Sequence, residues 1–195
     1  MPSAELIARA RAWMAQDPDP DTRAEIGALC DAGADELEAR FRGPLEFGTA
    51  GLRAIVGGGE SMMNRAVVRR TSAGLARYLL EHEPDATERG VVVGHDARRM
   101  SDVFAVETAM VLTAAGIPVH LSEGVCPTPV VAYGVRRLDA VAGVMVTASH
   151  NPPAYNGYKV YARNGAQIVP PADCYVAQAI ELVGPANAIP TLPLA

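Results

Sequence analysis

Short apolar runs alternate with segments of helical periodicity through the middle of the chain. The runs at 90–94 and 117–121 predict strands, and the run at 141–147 predicts a strand buried on both faces. Between these runs, apolar residues recur at the three- and four-residue spacing of helices packed on one side. This alternation predicts right-handed parallel crossovers, and therefore a three-layer α/β/α domain with a mostly parallel, mixed sheet.

Capping and breaking residues set the predicted helix ends. An N-terminal helical extension at 1–43 is expected to hold one helix over 3–16 and a second from a cap at Asp21 or Thr22 to Arg42. The domain itself is predicted at 44–183, with helices over 64–83 (cap Asn64), 101–116 (cap Ser101), 127–138 and 173–182. Residues 184–195 hold three prolines and no charge, which predicts a linker toward further domains.

A candidate nucleophile follows the buried run at 141–147. There the sequence changes abruptly to a polar loop, 148–153, that contains Ser149 and His150. In α/β sheets, ligands bind at the carboxyl ends of strands, so a serine at this point is both exposed to a substrate and anchored to a rigid element. Ser149 is therefore the leading candidate for covalent chemistry.

Lys159 is the second candidate, because it is the only lysine in the chain. Asn156 and Gly157 predict a tight turn, and 158–161 has the β-branched and aromatic character of a strand that returns toward Ser149. Arginine cannot lose its proton in a protein, whereas lysine can. A single lysine among many arginines is suggestive of proton transfer, although chance alone also explains one residue.

The glycine-rich segment 47–59 matches neither a P-loop nor a dinucleotide fingerprint. Its glycines would let backbone amides approach an oxyanion, and Arg53 has the fork geometry that binds phosphate; spacing alone favours a flexible surface loop. His95, Asp96 and Arg98 follow the strand at 90–94 and are candidates for a supporting role. His82 and His120 are most simply explained as ordinary surface or strand residues.

Composition narrows the class of protein. The 195 residues suit one domain with a sizeable core, and a net charge of -5 gives no support for nucleic-acid binding. Three widely separated cysteines predict reduced, mostly buried thiols and neither a disulfide framework nor a zinc site. No apolar run approaches the length of a membrane span, and no signal peptide is evident, so we predict a cytoplasmic protein without a membrane partner.

Three motifs resemble the α-D-phosphohexomutases, the phosphoglucomutase and phosphomannomutase family. Residues 147–152 followed by 156–159 resemble the family's phosphoserine loop, 47–53 its N-terminal substrate-side loop, and 94–98 its segment after the second strand. The long form of 47–53 and the stretch 164–168 are most like the branch of phosphoglucomutase 2 and phosphopentomutase.

The resemblance implies a phosphosugar mutase. Ser149, phosphorylated at rest, would give its phosphoryl group to a sugar monophosphate and recover the other one from a bisphosphate intermediate, a net shift between C1 and the terminal hydroxyl. Lys159 and His150 are then candidates for proton transfer, while Arg53 steadies the phosphoryl group. The implied substrate or phosphate contacts are Thr49, Gly51, Arg53, Asn151 and Lys159. Magnesium, bound by phosphoserine 149, and a sugar 1,6-bisphosphate activator are the implied cofactors.

Departures from the family pattern limit this expectation. Ala54 follows Arg53 where many relatives have glycine, and the aspartate-glycine metal loop, the sugar-recognition loop and the distal phosphate-binding loop are absent. The chain is therefore expected to be a first domain whose partners are the remaining mutase domains, folded but inactive alone. Glucose phosphates are the expected substrates, with pentose or mannose phosphates as alternatives. A non-catalytic interaction module that keeps the fold stays open, and a Ser/His hydrolase fits poorly because GxSxG is missing.

Overall fold

A mixed sheet of five strands organises the computed structural model, which describes residues 2–49 and 51–194. The strands are β1 (Leu52–Ile55), β2 (Val91–His95), β3 (Val119–Leu121), β4 (Ala142–Val146) and β5 (Tyr155–Ala162). Their order across the described sheet is β1-β5-β4-β2-β3. Strand β2 pairs in parallel with β3 and β4, whereas β5 runs antiparallel to both β4 and β1. The predicted mixed α/β sheet is confirmed.

Helices cover both faces of this sheet. The helices of the described residues are α1 (Ala4–Met14), α2 (Pro20–Ala32), α3 (Glu36–Arg40), α4 (Arg65–His82), α5 (Ala86–Arg89), α6 (Ser101–Ala114), α7 (Thr128–Arg137) and α8 (Ala172–Glu181), of which α4, α6, α7 and α8 pack on the sheet. The larger core joins α4, α6 and α8 to one face of the sheet, and a smaller core joins α7 to the other. Val91 and Val93 point into the larger core and Val92 into the smaller one, as the alternation along a strand requires. The three-layer architecture is therefore confirmed.

The N-terminal segment forms a small core of its own. Ala10, Ile26, Cys30, Leu37 and Phe41 are buried together between α1, α2 and α3. The second predicted helix was wrong in two respects. It is capped by the Asp19 side chain, which accepts from the amide of Asp21, and it ends at Gly33, whose φ of 59° begins a turn before α3.

Helix α6 begins differently from the prediction. Ser101 is its first residue rather than its cap; the cap position belongs to Met100, which has left-handed backbone (φ 65°). The Ser101 hydroxyl instead donates a 2.7 Å hydrogen bond to Asp96. The sequence correctly placed Ser101 at the start of an apolar helix. Its hydroxyl, however, bonds to the loop that follows β2 rather than to the helix. By contrast, Asn64 caps α4 as predicted, accepting from the amide of Val67 at 3.0 Å.

Two segments predicted as a loop and a turn are strands instead. Residues 52–55 form β1 at the edge of the sheet, where a loop was expected. Asn156 and Gly157 lie inside β5 rather than in a tight turn. A Cβ on Gly157 would come within 2.6 Å of the Leu52 carbonyl oxygen and 2.8 Å of the Thr147 carbonyl oxygen. Glycine stands here because two neighbouring strands approach closely, not because the chain turns.

Residues 184–194, predicted as a linker, lie along α4 and α6. A 3-10 helix spans Ala186–Ala188, and the Leu192 amide donates to the Met110 carbonyl at 3.1 Å. Met1, Ala50 and Ala195, which fall in the predicted extension, substrate-side loop and linker, lie outside the described residues. Cys30 is buried, but Cys174 is exposed, so the expectation of mostly buried thiols holds only in part. Among the described helices, none is long and apolar enough to cross a membrane.

Gly74 lets α4 and α8 pack closely, so a larger residue at this position is expected to destabilise the protein. A Cβ at this position would lie 2.7 Å from the Ile180 Cα and 2.8 Å from its nitrogen. We expect Gly74→Ala to lower the free energy of unfolding by about 1–3 kcal/mol, because backbone must move to admit the methyl group. That loss outweighs the gain of about 1 kcal/mol that alanine usually brings to a helix.

Chemical denaturation followed by circular dichroism measures this difference. Gly27→Ala in α2 is the matched control, since its Cβ would meet only the flexible end of Met14 at 3.3 Å. The control is expected to be neutral or slightly stabilising. A Gly74→Ala protein as stable as the control would contradict the close packing of α4 on α8.

Candidate active site at the ends of the central strands

Ser149 lies in the loop that joins β4 to β5, two adjacent strands of the sheet. The residue is exposed, as is His150. Its backbone has φ of 58°, a left-handed conformation that costs a residue with a side chain about 1–2 kcal/mol. Left-handed backbone at an exposed serine is the kind of strain that clusters at functional sites, where the surrounding structure has to maintain it.

Lys159 lies on β5 opposite Met145 of β4, so the return strand runs beside the strand that precedes Ser149. The side chain is half-buried. Burial lowers the pKa of the Lys159 ammonium, and the positive charge of Arg53 lowers it further. A lysine with a lowered pKa is neutral more often at a given pH, which is the property that a proton acceptor needs.

Arg53 reaches the serine loop from the opposite edge of the strand pair. It lies on β1 opposite Gly157 of β5, and its guanidinium donates a 3.0 Å hydrogen bond to the side-chain oxygen of Asn151. The two residues are 98 positions apart in sequence. The structure therefore joins Arg53 to the serine loop through Asn151, and it brings Arg53 near enough to Lys159 for the guanidinium charge to lower the pKa of the lysine.

Thr49 and Gly51 contact parts of the chain other than the serine loop. The Thr49 hydroxyl donates to Asp173 on α8 at 2.6 Å, and the Thr49 carbonyl accepts from Gln167 at 2.8 Å. The Thr49 hydroxyl bond is the largest cause of the lowered pKa of Asp173. Gly51 has φ of 77°, and a Cβ there would lie 1.9 Å from the Tyr158 carbonyl oxygen, so close packing on β5 already requires glycine. Ala50, between them, is outside the described residues.

The polar residues after β2 support the same loop. Asp96 accepts hydrogen bonds from the hydroxyls of Thr147 (2.6 Å) and Ser101 (2.7 Å). Arg98 donates to Asp96 and to main-chain carbonyls of the serine loop. The His95 ring donates through Nδ1 to the carbonyl of the next residue, Asp96, at 3.0 Å. The sequence indicated that 95–98 lies at a strand end, but not that Arg98 contacts main-chain carbonyls.

Magnesium fits this site only through the serine. No group of three or more His, Cys, Asp or Glu side chains arranged for a metal occurs within 2–49 and 51–194. The Asp96 carboxylate is occupied by Thr147, Ser101 and Arg98. A phosphorylated Ser149 would offer the hard oxygen that Mg²⁺ prefers, and the described residues add no cluster of acidic or histidine side chains to it.

The arrangement suits the chemistry of a phosphate ester. A serine hydroxyl needs a base and cationic neighbours to exchange a phosphoryl group, whose oxygens carry negative charge. Lys159 and Arg53 are cationic side chains that could supply the positive charge, and lysine, unlike arginine, can exchange a proton. Adjacent Ser149 and His150 do not form the separated triad of a serine hydrolase.

Comparison with known proteins agrees with this geometry. Residues 44–183 match the α/β/α domain I of phosphoglucomutase/phosphomannomutase, so the chain belongs to that family. The resemblance of the three sequence motifs is thereby confirmed.

Individual relatives match a longer part of the chain than the family model does. It is 44% identical to phosphopentomutase from Mus musculus over 176 residues and 44% identical to phosphoribomutase from Saccharomyces cerevisiae over 173 residues. Identity to human glucose 1,6-bisphosphate synthase is 42% over 176 residues. Each match covers 87% of this chain but 28% of the relative, so the chain spans less than a third of the length of these proteins.

A solved structure shows the same fold. The crystal structure of a protein from Thermus thermophilus, named as a phosphomannomutase, superposes with a TM-score of 0.64 at 35% identity. That superposition covers 71% of this chain and 30% of the other.

Proposed function

We propose that this chain is the first domain of a phosphosugar mutase, an intramolecular phosphotransferase that moves a phosphoryl group between C1 and the terminal hydroxyl of a sugar phosphate. The observation that supports the proposal is the exposed, left-handed Ser149 in a loop whose Asn151 accepts a hydrogen bond from Arg53, with Lys159 on the strand that follows this loop. The proposed division is a helical extension at 1–43, the catalytic domain at 44–183 and a connection at 184–195. A cytoplasmic location remains part of the proposal.

Each residue has a defined part in the proposed reaction. The bond between phosphorus and Ser149 Oγ breaks as a sugar hydroxyl oxygen attacks the phosphorus, and Ser149 Oγ later attacks the other phosphoryl group of the sugar bisphosphate. Lys159 exchanges the proton of the attacking or leaving oxygen, with His150 as the second candidate. Arg53 and Asn151 orient the phosphoryl oxygens, and the backbone at Thr49 and Gly51 borders the substrate side. Bound Mg²⁺ would neutralise charge on the phosphoryl oxygens.

We propose glucose 1-phosphate and glucose 6-phosphate as substrates, with a sugar 1,6-bisphosphate as activator. Ribose 1-phosphate is the second candidate, because relatives at 44% identity are named phosphopentomutase and phosphoribomutase. The proposal assigns the remaining metal ligands and most sugar contacts to further mutase domains, which are its expected partners. On that basis we expect this chain alone to fold without turning over sugar phosphates.

The experiment is a coupled mutase assay on the longest natural polypeptide that contains this chain. Glucose 1-phosphate, mannose 1-phosphate and ribose 1-phosphate are compared at equal concentration, with Mg²⁺ and a catalytic amount of sugar bisphosphate. Conversion of any of them supports the mutase, and the ratio of kcat/KM values identifies the sugar. Absence of conversion for all three, in a protein that melts cooperatively, would favour the non-catalytic module instead.

A further inference from the structure

Ser149 adopts its strained backbone without help from a sheet or helix. Its amide donates to the Thr147 hydroxyl at 3.0 Å, and the Asn151 amide donates to the Ala148 carbonyl at 3.1 Å. These two bonds stay within the loop and fix its first turn. Farther along, the Tyr155 amide donates to the Pro152 carbonyl at 3.0 Å, and the Val56 amide donates to the Ala154 carbonyl at 2.9 Å. The carbonyls of Ser149 and Asn151 accept their hydrogen bonds from side-chain donors instead.

Arg98 supplies those donors from the neighbouring strand end. One terminal nitrogen donates to the carbonyls of Ser149 (2.8 Å) and Asn151 (2.9 Å), and the other to those of Pro152 and Tyr155, both at 3.1 Å. One side chain thereby holds four carbonyls across the loop. The planar guanidinium presents its donors in a fixed fork, whereas a lysine ammonium offers three donors from a single point.

Arg98 is itself held in a closed ring of hydrogen bonds. Its Nε donates to Asp96 Oδ2 at 3.1 Å, and the same oxygen accepts from the Thr147 hydroxyl. Thr147 in turn accepts from the Ser149 amide, and Arg98 binds the Ser149 carbonyl. Both sides of the Ser149 backbone are therefore tied to one carboxylate. The Arg98 side chain is 16% exposed and paired with Asp96, so its charge is directed into the protein.

We propose that Arg98 is a positioning residue: it fixes the backbone of Ser149 so that the hydroxyl points at the substrate side, and it does not itself bind the phosphoryl group. This inference rests on the proposed function for its catalytic half only. The mechanical half, that Arg98 holds the loop, is independent of what the loop does. Misplacing a reacting group by about 1 Å costs on the order of 10²-fold in rate.

Hydrogen exchange on this chain tests the mechanical half. In Arg98→Gln we expect the Ser149 and Asn151 amides to exchange about 10- to 100-fold faster than in the parent, because bonds to a charged donor are lost. Amides of β2 should be unchanged. Arg99→Gln is the matched control, since Arg99 is the exposed neighbour of Arg98. Equal exchange in the two variants would overturn the proposal.

Kinetics of the longest natural polypeptide that contains this chain test the catalytic half. Arg98→Gln is expected to lower kcat about 10²-fold with KM within about threefold, and Arg98→Lys to recover only part of it. A large rise in KM at normal kcat would make Arg98 a direct phosphate ligand and overturn the proposal. If Arg98→Gln does not fold, Arg98→Lys, which keeps the charge, takes its place in both experiments.

The two experiments separate the failure of this inference from failure of the proposed function. If no sugar phosphate is converted by the parent protein, the mutase is refuted, while faster exchange in Arg98→Gln still supports the clamp on the loop. If the parent is active and Arg98→Gln has normal kcat, the positioning role is refuted while the mutase stands.

Discussion

Ser149→Ala is expected to abolish phosphoryl uptake and to lower mutase turnover by at least about 10⁴-fold in the longest natural polypeptide that contains this chain. In the proposed reaction Oγ of Ser149 forms the covalent ester through which every transfer passes, and the methyl group of alanine cannot form one. Peptide mass spectrometry after incubation with sugar bisphosphate measures the phosphate, and a coupled assay measures turnover.

Two further variants make this result specific. Ser149→Gly removes the same hydroxyl but also relieves the left-handed backbone, so it should be equally inactive and at least as stable as Ser149→Ala. Ser122→Ala, after β3, removes a hydroxyl that donates to the Gly124 carbonyl and accepts from the Cys126 thiol, and it should retain phosphoryl uptake. Phosphate recovered on a residue other than Ser149 in the parent protein would refute the assignment.

Lys159→Arg is expected to lower kcat about 10²- to 10⁴-fold while KM changes little. Arginine keeps the positive charge but cannot give up its proton, and general acid-base assistance accounts for an effect of this size. Because burial and Arg53 lower the pKa of Lys159, a basic role makes activity rise with pH through a value below the ordinary range of lysine. That rise should be missing from the pH profile of kcat in the variant.

Lys159→Gln provides the comparison that separates charge from proton transfer. If both variants lose kcat equally, the proton is what matters; if only Lys159→Gln does, Lys159 is a phosphate contact. Near-normal kcat in Lys159→Arg therefore sinks the proton-transfer role, and His150 becomes the leading candidate.

The sequence predicted correctly those parts of the fold that depend on residues close together in the chain. Strand β4 is a continuous apolar run that ends in a polar loop, and α4 begins at an asparagine cap, so both could be recognised from a few neighbouring residues. The position of Ser149 at a strand end follows from the same run. Its left-handed backbone could not be anticipated, since serine has no preference for that conformation.

Long-range pairing explains what the sequence could not reveal. Strand β1 has four residues and a glycine-rich neighbourhood, and it is a strand because β5 pairs with it. Gly157 has the composition of a turn but stands where two strands come close. Arg98 binds main-chain carbonyls, which every residue possesses, so no side-chain pattern identifies its targets. The only signal was an arginine two residues after an aspartate at a second strand end.

The residues of the candidate site come together over very different separations in sequence. Ser149 and Lys159 lie on one hairpin, β4 to β5, whose ends meet through a short loop and therefore close at little entropic cost. Arg53 arrives on β1, an edge strand, and meets Asn151 only after a loop of 98 residues has closed. Because short loops close at a lower entropic cost than long ones, we expect the hydroxyl and the amine to come together before the guanidinium joins them. Since β1 is held on one side only, we expect local opening of this edge strand to withdraw Arg53 while the hairpin stays intact.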